Sequence, residues 1–255
     1  MIFSKIIKRL MNFFFFLELN FYKPIDNLII VTGADRTHQK SLRQFLYNVR
    51  RFEPNTRLIA YDLGMDEDFM LELKKEFENV VFETFDYSRY PSYFNINVNA
   101  GEYAWKPIIV SDVYQKYKQS VCWMDAGNLI EAPLTKIKRV LQWNGFFSPF
   151  SSGCLIDYTH PKTLDALKVE SSELKNTYLS GGCVAFNSNS EMAILLLGDW
   201  RDSALNRDVF APVGSNRENH RQDQSVLTVL AYKYHLVRDW PYHRKFDIMF
   251  HRDIG

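Results

Sequence analysis

Apolar positions along the chain follow two different spacings from Asn27 onward. Short continuous apolar runs predict buried strands, and the runs NLIIVTG, TRLIAYDLG and NVVFETFD each fit that pattern. Between them, apolar residues three or four positions apart predict helices with one buried face. The first of these helices extends from Ser41 to Phe52, and Asp66 and Asp68 precede the second. This order, with short connections, predicts parallel strands joined by right-handed crossovers.

The second half of the chain has a less regular pattern. Pro107 suits the first position of a helix that continues through IIVSDVYQKY. A buried strand ends at Asp125, and YLSGGCVAFN and KFDIMF predict further strands. SEMAILLLGDW and QDQSVLTVLAYKYH have helical spacing. We therefore expect one compact α/β unit over residues 27–255, with a first half for a nucleotide and a second half for another ligand.

Residues 1–26 form a separate segment of basic and aromatic character. Lysine and arginine side chains precede an apolar run, residues 11–17, that Glu18 interrupts. This run is too short to span a bilayer, and no small-residue cleavage site follows it. Two interpretations stay open. One is a basic amphipathic helix that makes peripheral membrane contact through residues 1–20, and the other is a helix packed on the domain.

Charge and cysteine content narrow the class of protein. The chain has 255 residues with 31 basic and 30 acidic side chains, so no overall field attracts nucleic acid, and we expect no nucleic-acid partner. Cys122, Cys154 and Cys183 are odd in number and form no CxxC pair, which indicates neither a zinc knuckle nor a disulfide framework. We expect a cytoplasmic location, at the cytosolic face of a membrane if the N-terminal segment binds lipid.

The stretch VCWMDAGNLI, residues 121–130, carries the strongest functional signal. A buried strand that ends in Asp125, Gly127 and Asn128 is unusual, because Asp and Gly both disfavour strand interiors. The ladder should therefore stop there and open into a loop. Ligands of open α/β sheets bind just outside the carboxyl ends of the strands. Asp125, with Gly127 and Asn128 beside it, is therefore a candidate ligand-binding residue.

Six segments, taken in order, resemble those of glycosyltransferases with the GT-A fold, closest in style to the glycogenin-like family 8 enzymes. The segments are VTGAD, YDLG, YAWKP, MDAGN, YLSGGCVAFN and RQDQSVL. MDAGN stands where that fold carries an Asp-x-Asp motif, YLSGGCVAFN resembles its Asn-x-Gly acceptor-side strand, and RQDQSVL resembles its Asp-Gln helix start. The resemblance implies a Rossmann-like, mostly parallel central sheet with helices on both faces and a less regular acceptor-side half. It also implies transfer of a sugar from a nucleotide-sugar donor, a UDP-sugar by analogy, to a glycan or protein acceptor.

The same resemblance assigns one group of residues to the donor. Thr32, Gly33 and Ala34 would line the cleft for the base and ribose, with Asp62 close by at the end of the second strand. Lys106 would approach the diphosphate or the donor sugar as a point charge. From the residues alone, Asp62 also fits a tight turn, and Lys106 also fits a solvated lysine at a helix start. These alternatives stay open.

The metal site that the resemblance implies is incomplete. The family pattern has two carboxylates separated by one residue, and here the second is absent. One carboxylate is a poor site for a hard cation unless other ligands converge. The resemblance makes His251 a further ligand for Mn²⁺ or Mg²⁺ beside Asp125, and Asp253 is another carboxylate nearby. Alternatively, a basic side chain, Arg252 or Lys106, replaces the charge of the cation.

The segment HRQDQS, residues 220–225, forms a second group of polar residues. In the functional interpretation, Asp223 lies across the cleft from Asp125 and faces the sugar. It could then orient acceptor hydroxyls, act as a base or stabilise an oxocarbenium-like centre, with Gln224 assisting by hydrogen bonding. The alternative is that Asp223 caps the helix that follows.

Small and aromatic residues complete the set of candidates. Gly181 and Gly182 permit close approach of an acceptor or sugar to the backbone, or they mark a bulge. Trp105, Trp123 and Trp240 are candidates for stacking on sugar faces, although Trp123 lies inside an apolar strand and is better explained as core.

The leading hypothesis is a glycosyltransferase assisted by a divalent metal. A different class is a non-catalytic GT-A-like domain that only binds glycan or nucleotide. A dehydrogenase of the Rossmann type is disfavoured because VTGADRTHQKS lacks the Gly-x-Gly-x-x-Gly turn. The sequence also contains no GxxxxGK[ST] loop and no GxSxG elbow.

Overall fold

The computed structural model describes residues 2–239, 241 and 243–254, and the side chains of residues 2–9 and 243 lie outside that description. Its helices are α1 (Ile2–Leu19), α2 (Gln39–Phe52), α3 (Glu67–Glu76), α4 (Trp105–Tyr117), α5 (Thr135–Asn144), α6 (Leu155–Tyr158), α7 (Pro161–Ala166), α8 (Glu191–Ala204), α9 (Arg207–Phe210) and α10 (Gln222–Lys233). Its strands are β1 (Leu28–Ala34), β2 (Arg57–Asp62), β3 (Val80–Thr84), β4 (Ser120–Met124), β5 (Leu129–Ile130), β6 (Phe146–Phe147), β7 (Phe150–Cys154), β8 (Thr177–Leu179), β9 (Cys183–Phe186) and β10 (Ile248–Met249). Single 3₁₀ turns cover Tyr87–Arg89, Ser92–Phe94, Asn99–Tyr103 and His243–Phe246.

The central sheet of the described residues has six strands in the order β3-β2-β1-β4-β9-β6. β1 to β4 are parallel, as the alternation of strand and helix patterns predicts. β1 is buried along its whole length and pairs with β2 on one side and with β4 on the other. The order of strands therefore reverses between β1 and β4, and their carboxyl ends lie side by side. Ligands of open α/β sheets bind at such a point. The predicted fold class is confirmed.

The predicted strand YLSGGCVAFN is divided in the structure. Thr177–Leu179 pairs with β7 in a small separate sheet, whereas Cys183–Phe186 pairs antiparallel with β4 in the central sheet. Residues 180–182, Ser-Gly-Gly, connect the two strands. The prediction of one continuous strand was wrong because two consecutive glycines weaken a ladder and let the chain leave the sheet.

Helices pack on the sheet through the faces that their sequence patterns indicate. In α2, the buried apolar residues are Leu42, Phe45, Leu46 and Val49, and Phe52 at the end of the helix is partly buried. Most residues of α4 and α10 are buried: α4 contacts β4 and α8, and α10 contacts β8 and α8. α4 begins at Trp105, so Pro107 is its third residue rather than its first. This is tolerated because the first N–H groups of a helix have no intrahelical partner.

α1 lies against the domain through one of its faces. The Phe15 ring is 5.8 Å from that of Trp143 in α5, and the Phe16 ring is 5.7 Å from that of Phe246. The opposite side is exposed and apolar, with Leu10, Met11, Phe13, Phe14 and Leu17. None of the helices in the described part of the chain has the length and apolarity needed to cross a membrane. Contact of residues 1–20 with a membrane surface stays a prediction.

The chain returns to the site through its last residues. Of the predicted strand KFDIMF, only Ile248–Met249 is extended, and it pairs antiparallel with β5 outside the central sheet. β5 follows directly after the turn that ends β4. This pairing therefore brings residues 250–254 alongside that turn.

Candidate active site

The predicted site residues converge on one cavity at the carboxyl ends of β1 and β4. It has a volume of about 610 Å³, which is in the range of small-molecule sites. Four segments line it: residues 33–35 at the end of β1, residues 125–128 after β4, residues 180–182 between β8 and β9, and residues 221–224 at the start of α10. Lys106 and residues from the C-terminal segment complete the lining.

Lys106 joins the two opposite walls of this cavity. Its Nζ lies 3.2 Å from Asp125 Oδ1 and 2.9 Å from Asp223 Oδ2, and it donates a hydrogen bond of 3.2 Å to the carbonyl oxygen of Gly181. Burial by itself would lower the pKa of Lys106, but attraction to Asp125 and then to Asp223 raises it overall. The ammonium therefore stays charged. The interpretation of Lys106 as a solvated lysine at a helix start was wrong, because its side chain is almost fully buried.

The segment before α4 places Lys106 through an unusual backbone. All five residues of Asn99–Tyr103 have positive φ, between 47° and 62°. Only Gly adopts such a conformation without a steric cost, and runs of this kind occur mainly where the surrounding structure imposes them. Residue 101 must be Gly, since a Cβ there would lie 2.2 Å from the carbonyl oxygen of Phe94. The Trp105 indole N–H donates to the Ala100 carbonyl oxygen at 3.0 Å and closes this left-handed turn directly before Lys106.

Asp125 occupies the position that its strand pattern predicts. β4 ends at Met124, and a turn follows in which the Asn128 N–H donates to the Asp125 carbonyl oxygen at 2.9 Å. The Trp123 indole N–H donates to Asp125 Oδ1 at 2.6 Å. Trp123 is buried in the core, which agrees with its interpretation as a core residue, and its polar edge orients the carboxylate.

Asp223 approaches from the other side of the cavity. α10 begins at Gln222, so Asp223 lies in its first turn, and the position before the helix is Arg221. The interpretation of Asp223 as the N-cap residue was therefore wrong. Burial raises the pKa of Asp223, and the opposing pull of Lys106 does not fully offset it. The Trp200 indole N–H donates to the Asp223 carbonyl oxygen at 2.9 Å and fixes this turn against α8.

Gly181 and Gly182 make room for the two carboxylates. A Cβ on Gly181 would lie 2.8 Å from Asp223 Oδ2, and one on Gly182 would lie 3.2 Å from Asp125 Oδ2. The two glycines therefore allow the backbone to approach the carboxylates of Asp125 and Asp223 closely. Side chains in this connection would push the carboxylates away from Lys106.

The remaining candidates are distributed as follows. Gly33, Ala34, Trp105, Gly127, Asn128, Gln224 and His251 line the cavity. Thr32 and Asp62 do not belong to the lining, and Asp62 Oδ1 instead accepts 2.8 Å hydrogen bonds from the N–H groups of Gly64 and Met65. The turn interpretation therefore accounts for the Asp62 side chain, because its acceptor capacity is used within its own loop. Trp240 lies outside the described residues.

Several lining residues were missed by sequence reasoning. Arg217 donates to the Tyr103 hydroxyl at 2.6 Å, and the Arg221 guanidinium lies 3.6 Å above the Tyr158 ring. Arg217 and Arg221 belong to the loop before Asp223 and Gln224. Two arginines close in sequence to a candidate acid were the signal from which these lining residues could have been predicted. Tyr103 is the first residue of YAWKP, and Phe250 directly precedes His251 in the C-terminal segment.

A ready-made metal shell is not part of this arrangement. Within residues 2–239, 241 and 243–254, no three His, Cys, Asp or Glu side chains are grouped so that they could hold an ion. Asp125, His251 and Asp253 nevertheless line the same cavity. Mg²⁺ in nucleotide-dependent enzymes is commonly bound by one or two carboxylates together with substrate phosphates. The ligand types of these three side chains therefore suit a cation whose coordination a diphosphate completes.

Comparison with known proteins identifies the fold. Residues 9–111 match the model of a family described as "Protein of unknown function (DUF1647)". No curated protein matches the chain. Among solved structures, the galactosyltransferase LgtC in complex with donor and acceptor sugar analogues has a TM-score of 0.50 and 18% identity over 79% of this chain and 69% of that chain. Mouse xyloside xylosyltransferase 1, in its apo form, has a TM-score of 0.50 and 10% identity over 85% of both chains. The chain therefore has the GT-A fold, as the sequence resemblance implied.

Proposed function

We propose that this protein is a glycosyltransferase that moves a sugar from a UDP-sugar donor to a glycan or protein acceptor. The observation that carries the proposal is the buried Lys106 between Asp125 and Asp223, inside a cavity at the carboxyl ends of β1 and β4. Glycosyl transfer needs one group that stabilises the anionic leaving group and another that acts on the nucleophile. The two walls of this cavity supply such a pair. The GT-A fold is consistent with this chemistry.

The wall that carries Asp125, here called the β4 wall, is assigned to the donor. Gly33 and Ala34 end β1 without bulky side chains and leave space for a base and ribose. Lys106, held as a cation by the two acids, would attract the diphosphate as negative charge develops on it. Asn128 is fixed by donating to the Gly182 carbonyl oxygen at 2.6 Å, so it shapes the donor side of the cavity.

The wall that carries Asp223, here called the α10 wall, is assigned to the sugar and the acceptor. Asp223 is the acid that would orient an acceptor hydroxyl or stabilise positive charge at the sugar. Gln224 donates to the Leu179 carbonyl oxygen at 2.5 Å, and this contact fixes its amide beside Asp223. Trp105 and Tyr103 present aromatic surface between the two walls, where a sugar face would stack.

A divalent cation, Mn²⁺ or Mg²⁺, belongs to this proposal, with Asp125 and His251 as protein ligands. When bound, it would stabilise the charge of the departing nucleoside diphosphate as a Lewis acid. The ligand types suit a hard cation completed by phosphate oxygens. Lys106 would contribute a second, permanent positive charge.

Nucleotide-sugar binding and turnover test the proposal. Thermal unfolding measured with UDP and a panel of UDP-sugars should show stabilisation of the wild-type protein, and NAD should give none, because only a ligand of the native state raises its stability. Asp125→Ala and Asp223→Ala should each reduce donor turnover by about a hundredfold or more. A wild-type protein that binds a UDP-sugar but is as inert as both variants would instead be the non-catalytic binding domain. No response to any UDP compound would contradict the assigned donor.

We also propose a cytoplasmic location, with contact to a cytosolic membrane face through residues 1–20. The exposed apolar residues of α1 support it. Binding of the protein to anionic vesicles, compared with a variant that carries Phe13→Ser and Phe14→Ser, tests this point. Equal sedimentation with vesicles would contradict it.

A further inference from the structure

The C-terminal segment, residues 250–254, is held along the turn that follows β4. The antiparallel pairing of β10 with β5 leads into it, and the Arg252 N–H then donates to the Gly127 carbonyl oxygen at 2.6 Å. Further along, Ile254 and Ser41 exchange two hydrogen bonds: the Ile254 N–H donates to Ser41 Oγ at 2.9 Å, and Ser41 Oγ donates to the Ile254 carbonyl oxygen at 3.2 Å. These contacts lie on both sides of Asp253 in the chain. They therefore fix the position of residue 253 against residue 127.

The Asp253 carboxylate fills the space of a missing side chain. A Cβ built on Gly127 would lie 2.2 Å from Asp253 Oδ1 and 2.5 Å from Oδ2. Real Cβ atoms do not approach other atoms so closely, so a side chain on residue 127 would displace the Asp253 carboxylate from this position. The backbone at Gly127 is not in the left-handed region, and the conformation of the chain does not by itself demand glycine there. The absence of a side chain at Gly127 leaves room for the acid that packs on it.

Asp125 and Asp253 both line the cavity. Trp123 and Lys106 both contact Oδ1 of Asp125, whereas Oδ2 lies 3.2 Å from the position that a Cβ on Gly182 would take. Two residues further along the chain, the position of Gly127 is taken by the Asp253 carboxylate. Two carboxylates that line one cavity together with the ammonium of Lys106 are consistent with the way in which Mg²⁺ and Mn²⁺ are bound together with phosphates.

We propose that Asp253 supplies the second carboxylate of a divalent-cation site whose first carboxylate is Asp125, in the volume that a side chain on residue 127 would occupy. This inference rests on the proposed function, since a nucleoside diphosphate completes the coordination. It explains why the chain can have Gly127 beside Asp125 and still hold a hard cation. It also gives the C-terminal segment a role in ligand binding.

Direct measurement of Mn²⁺ binding tests the role of Asp253 without an activity assay. Free Mn²⁺ is followed by electron paramagnetic resonance during titration of the full chain in the presence of saturating UDP. Asp253→Asn keeps the shape of the side chain and removes its charge, and it should weaken Mn²⁺ binding by about tenfold or more, because ligand charge sets the affinity of such sites. The matched control is Glu131→Gln, an exposed acid next to β5 that does not line the cavity. It should leave Mn²⁺ binding unchanged.

Moving the carboxylate back along the chain provides the decisive variant. Gly127→Asp alone should weaken Mn²⁺ binding, because the new side chain and Asp253 compete for one volume. Gly127→Asp combined with Asp253→Gly should restore Mn²⁺ affinity to within about threefold of wild type, a difference of less than 1 kcal/mol. Recovery of this kind is not expected if Asp253 merely stabilises the C-terminal segment. Thermal unfolding identifies any variant that fails to fold. If one does, the comparison of Asp253→Asn with Glu131→Gln decides whether Asp253 binds the cation.

The outcomes separate this inference from the function itself. Mn²⁺ binding that Asp253→Asn does not change, or Mn²⁺ that does not bind to wild type with UDP present, overturns the role of Asp253. In either case, UDP-sugar binding and turnover still test the glycosyltransferase proposal when they are measured with EDTA present to remove divalent cations. Loss of UDP binding in wild type under all conditions would instead contradict the proposed function.

Discussion

The two walls of the cavity carry the same functional group in different surroundings. On the β4 wall, the Asp125 side chain is 46% exposed, whereas on the α10 wall the Asp223 side chain is 7% exposed, and both contact the ammonium of Lys106. Water can therefore stabilise the charge of Asp125, but the charge of Asp223 depends on Lys106. The difference suggests that the β4 wall is built for a charged, partly hydrated ligand and the α10 wall for a desolvated step.

The largest expected effect comes from removing the charge that both walls share. Lys106→Met should lower the free energy of unfolding by about 3–5 kcal/mol, because it leaves Asp223 buried without its cation. Urea denaturation at neutral pH measures the change. Lys116→Met is the control, since its ion pair with Glu83 is on the surface and contributes under about 1 kcal/mol.

A double variant shows whether Asp223 is the source of that loss. Lys106→Met combined with Asp223→Asn should recover part of the stability, because no buried charge is then left unpaired. The same recovery is not expected with Asp125→Asn, whose carboxylate is partly hydrated. Equal recovery from both double variants would contradict the contrast between the walls.

Local patterns in the sequence were sufficient for the β4 wall. The parallel order of β1 to β4 follows from alternating strand and helix spacing, and Asp125 was found because an acid ends a buried run. Each of these signals lies within a few residues of the feature that it predicts. The prediction of a strand end therefore needed no knowledge of tertiary contacts.

The α10 wall and the C-terminal segment could not be predicted in the same way. The family resemblance, rather than a local pattern, predicted that Asp223 faces Asp125 across the cleft, because the local pattern also fits a helix cap. In the structure, α10 packs on α8 and Asp223 lines the cavity. The contact of Asp253 with Gly127 joins residues 126 positions apart through the pairing of two short strands. Such short strands have weak patterns, and their pairing depends on tertiary packing. The neighbours of Lys106 were likewise brought together only by the fold.

Acid should destabilise the segment that leads into α10. His220, two residues before α10, is fully buried, its Nδ1 accepts from the His160 N–H at 3.2 Å, and its Nε2 contacts the Phe210 carbonyl oxygen at 2.8 Å. Burial lowers the pKa of His220 to about 4 from an ordinary value near 6.5. Because the folded pKa is lowered, the stability that neutral His220 contributes is complete above pH of about 6.5 and is lost as the pH falls towards 4.

Titration of the unfolding free energy tests this expectation. Between pH 7 and pH 4, wild type should lose roughly 3 kcal/mol more than His220→Gln, which cannot titrate, since one pKa unit corresponds to about 1.4 kcal/mol. His235→Asn, at an exposed position with positive φ that Asn tolerates, should lose as much as wild type. An identical pH profile for His220→Gln and wild type would rule out His220 as the acid-sensitive group.

The smallest expected effect compares the two acids directly. Burial raises the pKa of Asp223, so its ionised form is less favourable in the folded protein than in the unfolded chain. Its favourable contribution is therefore complete below the unfolded pKa of about 3.8 and is lost as the pH rises through the folded pKa. Asp223→Asn should consequently unfold at the same or a slightly higher urea concentration than wild type at pH 7.5, and the difference should be smaller at pH 4. Asp125→Asn should change stability by less than about 1 kcal/mol at either pH.

Both variants should lose sugar transfer, and a residue that costs stability while it supports activity is typical of a catalytic site. A clear loss of stability in Asp223→Asn at pH 7.5 would mean that the attraction of Lys106 outweighs burial, and the α10 wall would then be held together by its ion pair.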